Sequence, residues 1–209
     1  MTRRILILTL LAAAAGLAQT VNCVVAIVNG EIITRLDVEV AAEFGLGHDA
    51  AVEPAGDPRL SALDALIDRK VVLGLARDVR GVSGEELDAA VAEVRRTLGE
   101  GAFAAKLGKF GLAAHDLGPY LEERLLYDRA LALRFSPSIP VSVTEAERYY
   151  RDIYTPEQAR LGAAAEPFDR VADTIESRIR GERRGQQMTA WVRDLRTRTD
   201  VQIKKDCLK

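Results

Sequence analysis

Apolar positions recur at helical spacing over most of the chain and gather into β-branched runs only near its two ends. Val24-Val25-Ala26-Ile27-Val28, then Asn29-Gly30, then Glu31-Ile32-Ile33 predict a hairpin, since Asn-Gly suits a two-residue turn. Thr34 with Asp37 predicts the start of a helix bearing Leu36, Val40 and Phe44, which stops near Gly45-Leu46-Gly47. Residues His48 to Asp57 read as loop. From Pro58 to about Val79 a helix carries the stripe Leu60, Leu63, Ile67, Val71 and Leu75, widened by Leu66 and Leu73. Ser83-x-x-Glu86 is a capping box ahead of Leu87, Val91, Val94 and Leu98. A short helix follows with Phe103, Leu107 and Phe110, ended by Gly111. A longer one opens near Asp116, with Pro119 in its first turn, and carries Leu117, Leu121, Leu125, Leu131 and Phe135.

Ser136 to Pro140 breaks the pattern, and Thr144-x-x-Glu147 predicts the cap of a helix that holds Tyr149-Tyr150 and stops near Tyr154-Thr155-Pro156. Gln158 to Glu166 is an Ala-rich junction. From Pro167 a final helix runs through Phe168, Val171, Ile175, Ile179, Met188, Trp191, Val192 and Leu195, polar on all sides from Arg180 to Gln187. Thr199 to Ile203 is a short strand candidate. The expected fold is mostly α, with a small β-sheet formed by the N-terminal and C-terminal strands.

Thr2-Arg3-Arg4, the apolar run Ile5 to Ala14 and Gly16-Leu17-Ala18 have the order of a signal peptide, with cleavage expected after Ala18. Loss of Arg3 and Arg4 takes the net charge from -2 to -4, so no global basic excess points to nucleic acid. No later apolar stretch is long enough to span a membrane. The mature chain is therefore expected to be soluble and exported. In an oxidising compartment its two cysteines, Cys23 and Cys207, suggest a disulfide, provided that the end strands share one sheet; two free thiols is the other reading.

Candidate catalytic chemistry is sparse. His48 falls in a loop and His115 at a helix start, neither beside a nucleophile or carboxylate in a recognisable motif. There is no phosphate-binding glycine loop, no dinucleotide fingerprint and no zinc spacing. The basic run Arg178 to Arg184 reads as a solvated helix face. No catalytic residue, metal ligand or cofactor is expected, and the residues describe an exported helical binding module.

The segment Ala26-Ile27-Val28-Asn29-Gly30-Glu31-Ile32-Ile33-Thr34-Arg35-Leu36-Asp37-Val38 resembles the opening of SurA-type periplasmic chaperones and their parvulin-type relatives. Ala62 to Val72, the Ser83-capped helix, the run Phe103 to Phe135, and Val141 to Tyr150 are similar to successive helices of that family. Pro167 to Ile203 resembles its closing helix and strand. The resemblance implies a signal peptide over 1–18, a chaperone segment over 19–155, a short junction over 156–166 and a completing helix and strand over 167–209. Relatives commonly carry a parvulin prolyl-isomerase domain between the Tyr-Tyr helix and the final helix, and here only Arg151 to Glu166 fills that gap, far too little for a domain. Isomerase activity is therefore not implied.

What the resemblance does imply is an ATP-independent periplasmic holdase for unfolded secreted or outer-membrane polypeptides, whose exposed apolar faces and strand edges aggregate. Candidate client-binding residues are Phe103, Leu107, Phe110, Tyr149, Tyr150 and Tyr154, against ordinary core packing for each. The other functional readings are a scaffold subunit with one dedicated partner and, less favoured, a prolyl isomerase. A swapped homodimer is one assembly this fold permits.

Overall fold

The computed structural model describes residues 23–47, 56–76, 79–135 and 139–208. The signal segment 1–18, His48 and the Ser136-Pro137-Ser138 break lie outside them. The fold is mostly helical with one small antiparallel sheet, as expected.

Strands β1 (Val24–Val28) and β2 (Glu31–Thr34) form the hairpin, with Val28 opposite Glu31. Asn29 and Gly30 have φ of 49° and 87°, the pair of positive angles that a two-residue turn between twisted strands requires. Strand β3 (Val201–Ile203) pairs with the other edge of β1, so the order is β2-β1-β3, and Val28 faces Val201. The ends of the described chain thus meet on one strand. There Cys23 and Cys207 are disulfide-bonded, their Cα atoms 6.1 Å apart.

Helix α1 (Arg35–Glu43) begins with a full capping box: Thr34 N–H donates to Asp37 at 2.8 Å, and Asp37 N–H donates to Thr34 Oγ1 at 3.3 Å. Gly47 then lets the chain pass close to α2 (Pro58–Leu73), where a Cβ would come within 3.0 Å of the Ala62 Cα. The Arg69 side chain, almost fully buried, donates from Nη2 to the Leu46 carbonyl and ties this corner to α2. Helix α2 ends at Leu73, not near Val79, so Leu75 lies past its end and beyond the buried part of its stripe.

Helices α3 (Gly84–Leu98), α4 (Glu100–Phe110) and α5 (Gly118–Arg134) complete the body. Ser83 and Glu86 form the expected capping box, and Gly111 closes α4 in the left-handed conformation at φ 66°. One core cluster joins the sheet, α1, α2 and α4 through Val25, Val28, Val40, Phe44, Ile67 and Phe103, among others.

The next segment departs from expectation in two ways. The N-cap of α6 (Val143–Tyr149) is Ser142, whose Oγ accepts from Glu145 N–H at 3.3 Å; Thr144 lies inside the helix. Nor does the helix stop at Tyr154. It passes through a π-helical turn (Tyr150–Tyr154) directly into α7 (Thr155–Arg160), with Pro156 in the first turn of α7. The wider π turn accommodates a proline ring that would crowd the carbonyl four residues back in a regular helix.

Helix α8 (Phe168–Thr197) is 30 residues long, about 45 Å at helical rise. Its first half packs Val171, Ile175 and Ile179 against Ala146, forming an arm with the aromatic residues of α6 and the π turn. Its second half packs Val192 against Val72, Ala130 and Leu131 in the body. Nothing between Arg180 and Gln187 is buried, so a solvated stretch of helix separates the two packing sites.

Candidate functional site

The six residues singled out as client contacts divide between two clusters that do not meet. Phe103, Leu107 and Phe110 of α4 pack onto the main core. Phe44 holds the Phe103 ring edge-on at 6.0 Å and the Phe110 ring at 6.5 Å, while Arg95 and Lys109 lie over the two rings at 5.1 Å. Phe103 is only 2% exposed: it is a core residue, and its ring has no face to offer a client. Leu107 and Phe110 are half-buried. Glu43 binds both Lys106, at 2.6 Å, and Lys109, which fastens α4 to α1 and holds the Glu43 carboxyl below the usual carboxylate range.

Tyr149, Tyr150 and Tyr154 belong to the arm and are also half-buried. Tyr150 stacks on Tyr154 at 5.6 Å and meets Phe168 edge-on at 5.6 Å, and its hydroxyl donates to the Glu166 carbonyl at 2.7 Å. The Tyr149 hydroxyl donates to Glu182 at 2.6 Å; burial, and then this bond, push its pKa up to about 12. These rings are braced by hydrogen bonds that orient the arm along α8.

An open apolar surface lies elsewhere. Where α2, α5 and α8 converge, Val72, Leu75, Ala76, Val79, Ala130, Leu133 and Trp191 line a shallow groove of about 330 Å³. Leu75 is 60% exposed and Leu133 is 65% exposed, unusually bare for adjoining leucines. Leu133 also borders a second depression with Arg80, Glu86, Arg129 and Ala132, so the surface is continuous across it. Trp191 is half-buried in the floor, braced edge-on by Phe135 at 5.6 Å. The volume is at the low end for ligand pockets, enough for a few side chains and open to more.

The sequence held a signal for this groove. Leu75 continues the α2 stripe after the helix has stopped, and Leu133 is out of phase with Leu131. Its recognition required knowing that α8 brings Trp191 between them.

Among the described residues no group of three histidine, cysteine or acidic side chains could hold a metal ion, and no helix is long and apolar enough to cross a membrane. His115 projects into solvent beside Asp116, at 3.3 Å.

No protein-family model matches the chain, and no curated protein does. Among solved structures, one described as showing the virulence factor PEB4 and the periplasmic protein Cj1289, two structurally related SurA-like chaperones of Campylobacter jejuni, superposes with a TM-score of 0.51. The match covers 88% of this chain and 100% of that one at 13% identity. The fold is SurA-like. At that identity the likeness concerns the backbone alone. The groove at α2, α5 and α8 is a feature of this chain's own side chains on that SurA-like frame.

Proposed function

We propose that the protein is an ATP-independent periplasmic chaperone that holds unfolded secreted or outer-membrane polypeptides until they fold or insert. The observation that carries this reading is the solvent-open apolar groove of Leu75, Leu133 and Trp191 on a SurA-like fold. A holdase without an energy source must release what it binds, so a shallow surface making several weak contacts suits it better than a deep pocket. Leu107, Phe110, Tyr149, Tyr150 and Tyr154 are further client contacts in this reading, reached by a longer polypeptide; Phe103 supports them from beneath. The Cys23–Cys207 bond accords with an oxidising compartment, as does the leader expected over 1–18. The segments 19–155 and 167–209 together make the chaperone core, and 156–166 stands where a parvulin domain would be inserted.

The groove is compact, and that favours a second reading: a docking site for one dedicated exported partner. Light scattering separates the two. An unfolded outer-membrane barrel protein and an unrelated unfolded secreted protein are each diluted into buffer with the purified protein. Suppression of both aggregations at near-stoichiometric amounts is the expected result, weakened by Leu133→Asp. Failure with both, from protein shown to be folded, refutes the chaperone reading and leaves the dedicated partner.

A further inference from the structure

The rim of the groove has a charge pattern that its apolar floor does not require. Arg134 spreads its guanidinium over Phe135 and Trp191, 5.8 and 5.9 Å from their centroids, and Arg80 stands at the far side of Leu133. Among the described residues neither forms a salt bridge. Glu86 is the single carboxylate among the residues lining the two depressions, and it is already engaged. It receives the Ser83 backbone N–H at 2.8 Å and the Ser83 hydroxyl at 3.0 Å, and it pairs with Arg129. Those bonds, the backbone one foremost, hold its carboxyl below the usual range, so it stays anionic and saturated. Arg129 is equally committed, donating also to the carbonyls of Arg80 at 3.0 Å and Gly81 at 2.6 Å. Arg80 shares the field of Glu86, but the two depressions together hold three arginines against that one carboxylate, so the surface presents leucine and tryptophan within a rim of net positive charge, with Arg134 outside any salt bridge among the described residues.

From this charge complementarity we infer that the groove selects apolar polypeptide segments flanked by carboxylates, over apolar segments flanked by lysine or arginine. The inference rests on the chaperone reading for the nature of its ligand, an unfolded chain. Apolar side chains lie on Leu75, Leu133 and Trp191, and glutamate or aspartate beside them meets Arg134 and Arg80. An arginine over an aromatic face is already partly desolvated and oriented, so it loses less freedom on meeting a carboxylate. The charged rim sets preference and association rate, and the floor supplies most of the affinity.

The test uses the chain's single tryptophan, Trp191, which reports directly from the groove floor. Trp-free peptides with a Leu-Phe-Leu centre are titrated against the full protein, with glutamates on both sides in one and lysines in the other. The Glu-flanked peptide should shift Trp191 emission and bind about 3- to 10-fold tighter at low salt, with the gap closing as salt screens it. Arg80→Glu with Arg134→Glu should invert the order. Arg80→Glu alone, which leaves the stacked guanidinium in place, should narrow it. Equal affinities, an order unchanged by the double variant, or peptide binding seen by calorimetry without any change at Trp191 would each overturn the inference. So would a concentration-dependent Trp191 shift without peptide, which would mean that a second copy fills the groove. Suppressed aggregation without a charge preference removes this inference and leaves the chaperone reading standing; a charge preference without suppression does the reverse.

Discussion

Removing the covalent tie between Cys23 and Cys207 should cost the protein much of its stability while leaving the folded state almost unchanged. The sheet already brings the two ends together. Lys204 N–H donates to the Val25 carbonyl at 2.7 Å, Asn29 N–H donates to the Asp200 carbonyl at 2.9 Å, and Leu208 is buried in the main core. The disulfide therefore acts chiefly on the unfolded chain, where it closes a loop spanning 184 residues. In the chain-entropy relation a loop of that length removes about 18 cal/mol/K, or about 5 kcal/mol at 25 °C. Compactness of the unfolded chain lowers the expected value to roughly 3–5 kcal/mol. For a protein of this size that is a fall in Tm of about 10 °C or more. The assay is urea unfolding of the Cys23→Ser, Cys207→Ser double variant beside the oxidised protein, followed by circular dichroism. The midpoint should fall by about 1–2 M, and the slope should rise because an untied chain exposes more surface on unfolding. A change below ~1 kcal/mol with equal slopes would refute the entropic argument.

Three other outcomes follow from local geometry. Ser142→Ala should destabilise by about 0.5–2 kcal/mol in thermal unfolding, and Thr144→Ala by little, because the cap hydrogen bond is made by Ser142. Phe103→Ala should cost ~3–5 kcal/mol by denaturant titration, whereas exposed Leu133→Ala should stay within about 0.5 kcal/mol, even as it weakens suppression of aggregation. The Glu43 carboxyl is held below 4.5, so its pairing with Lys106 and Lys109 stabilises the fold above that pH and is lost as pH falls through the lowered value. Glu43→Gln should therefore cost about 0.2–1 kcal/mol at neutral pH, and the difference from the parent should vanish in acid; a constant difference would contradict the assignment.

The features legible in the sequence were those decided within a few residues. Asn29-Gly30, the Thr34–Asp37 and Ser83–Glu86 caps and Gly111 each act through hydrogen bonds or backbone angles that their neighbours alone determine. The pairing of β1 with β3 was reachable because the cysteines flank the two strands. Three helix limits were not, the first being the end of α2 at Leu73, past which its apolar stripe runs on to Leu75. Ser142 and Thr144 offer overlapping Ser/Thr-x-x-Glu frames, and the outcome depends on Arg183 of α8 bonding Glu145 and on Ala146 packing against α8. Pro156 reads as a stop because nothing local announces the π turn that accommodates it. Large apolar and aromatic side chains serve core and surface alike, so residue type alone does not separate buried Phe103 from half-buried Leu107 and Phe110. The groove escaped because its parts, Leu75, Leu133 and Trp191, become neighbours only when three helices pack.

The central position of β1 also dictates an order of events. A chain made, or threaded through a pore, N-terminus first presents β1 and β2 early, but the second partner of β1 arrives only after almost all the helices have emerged. Until then one edge of β1 stays unpaired. Oxidation of the cysteine pair, which needs β3 in place, therefore follows completion of the sheet and does not precede it.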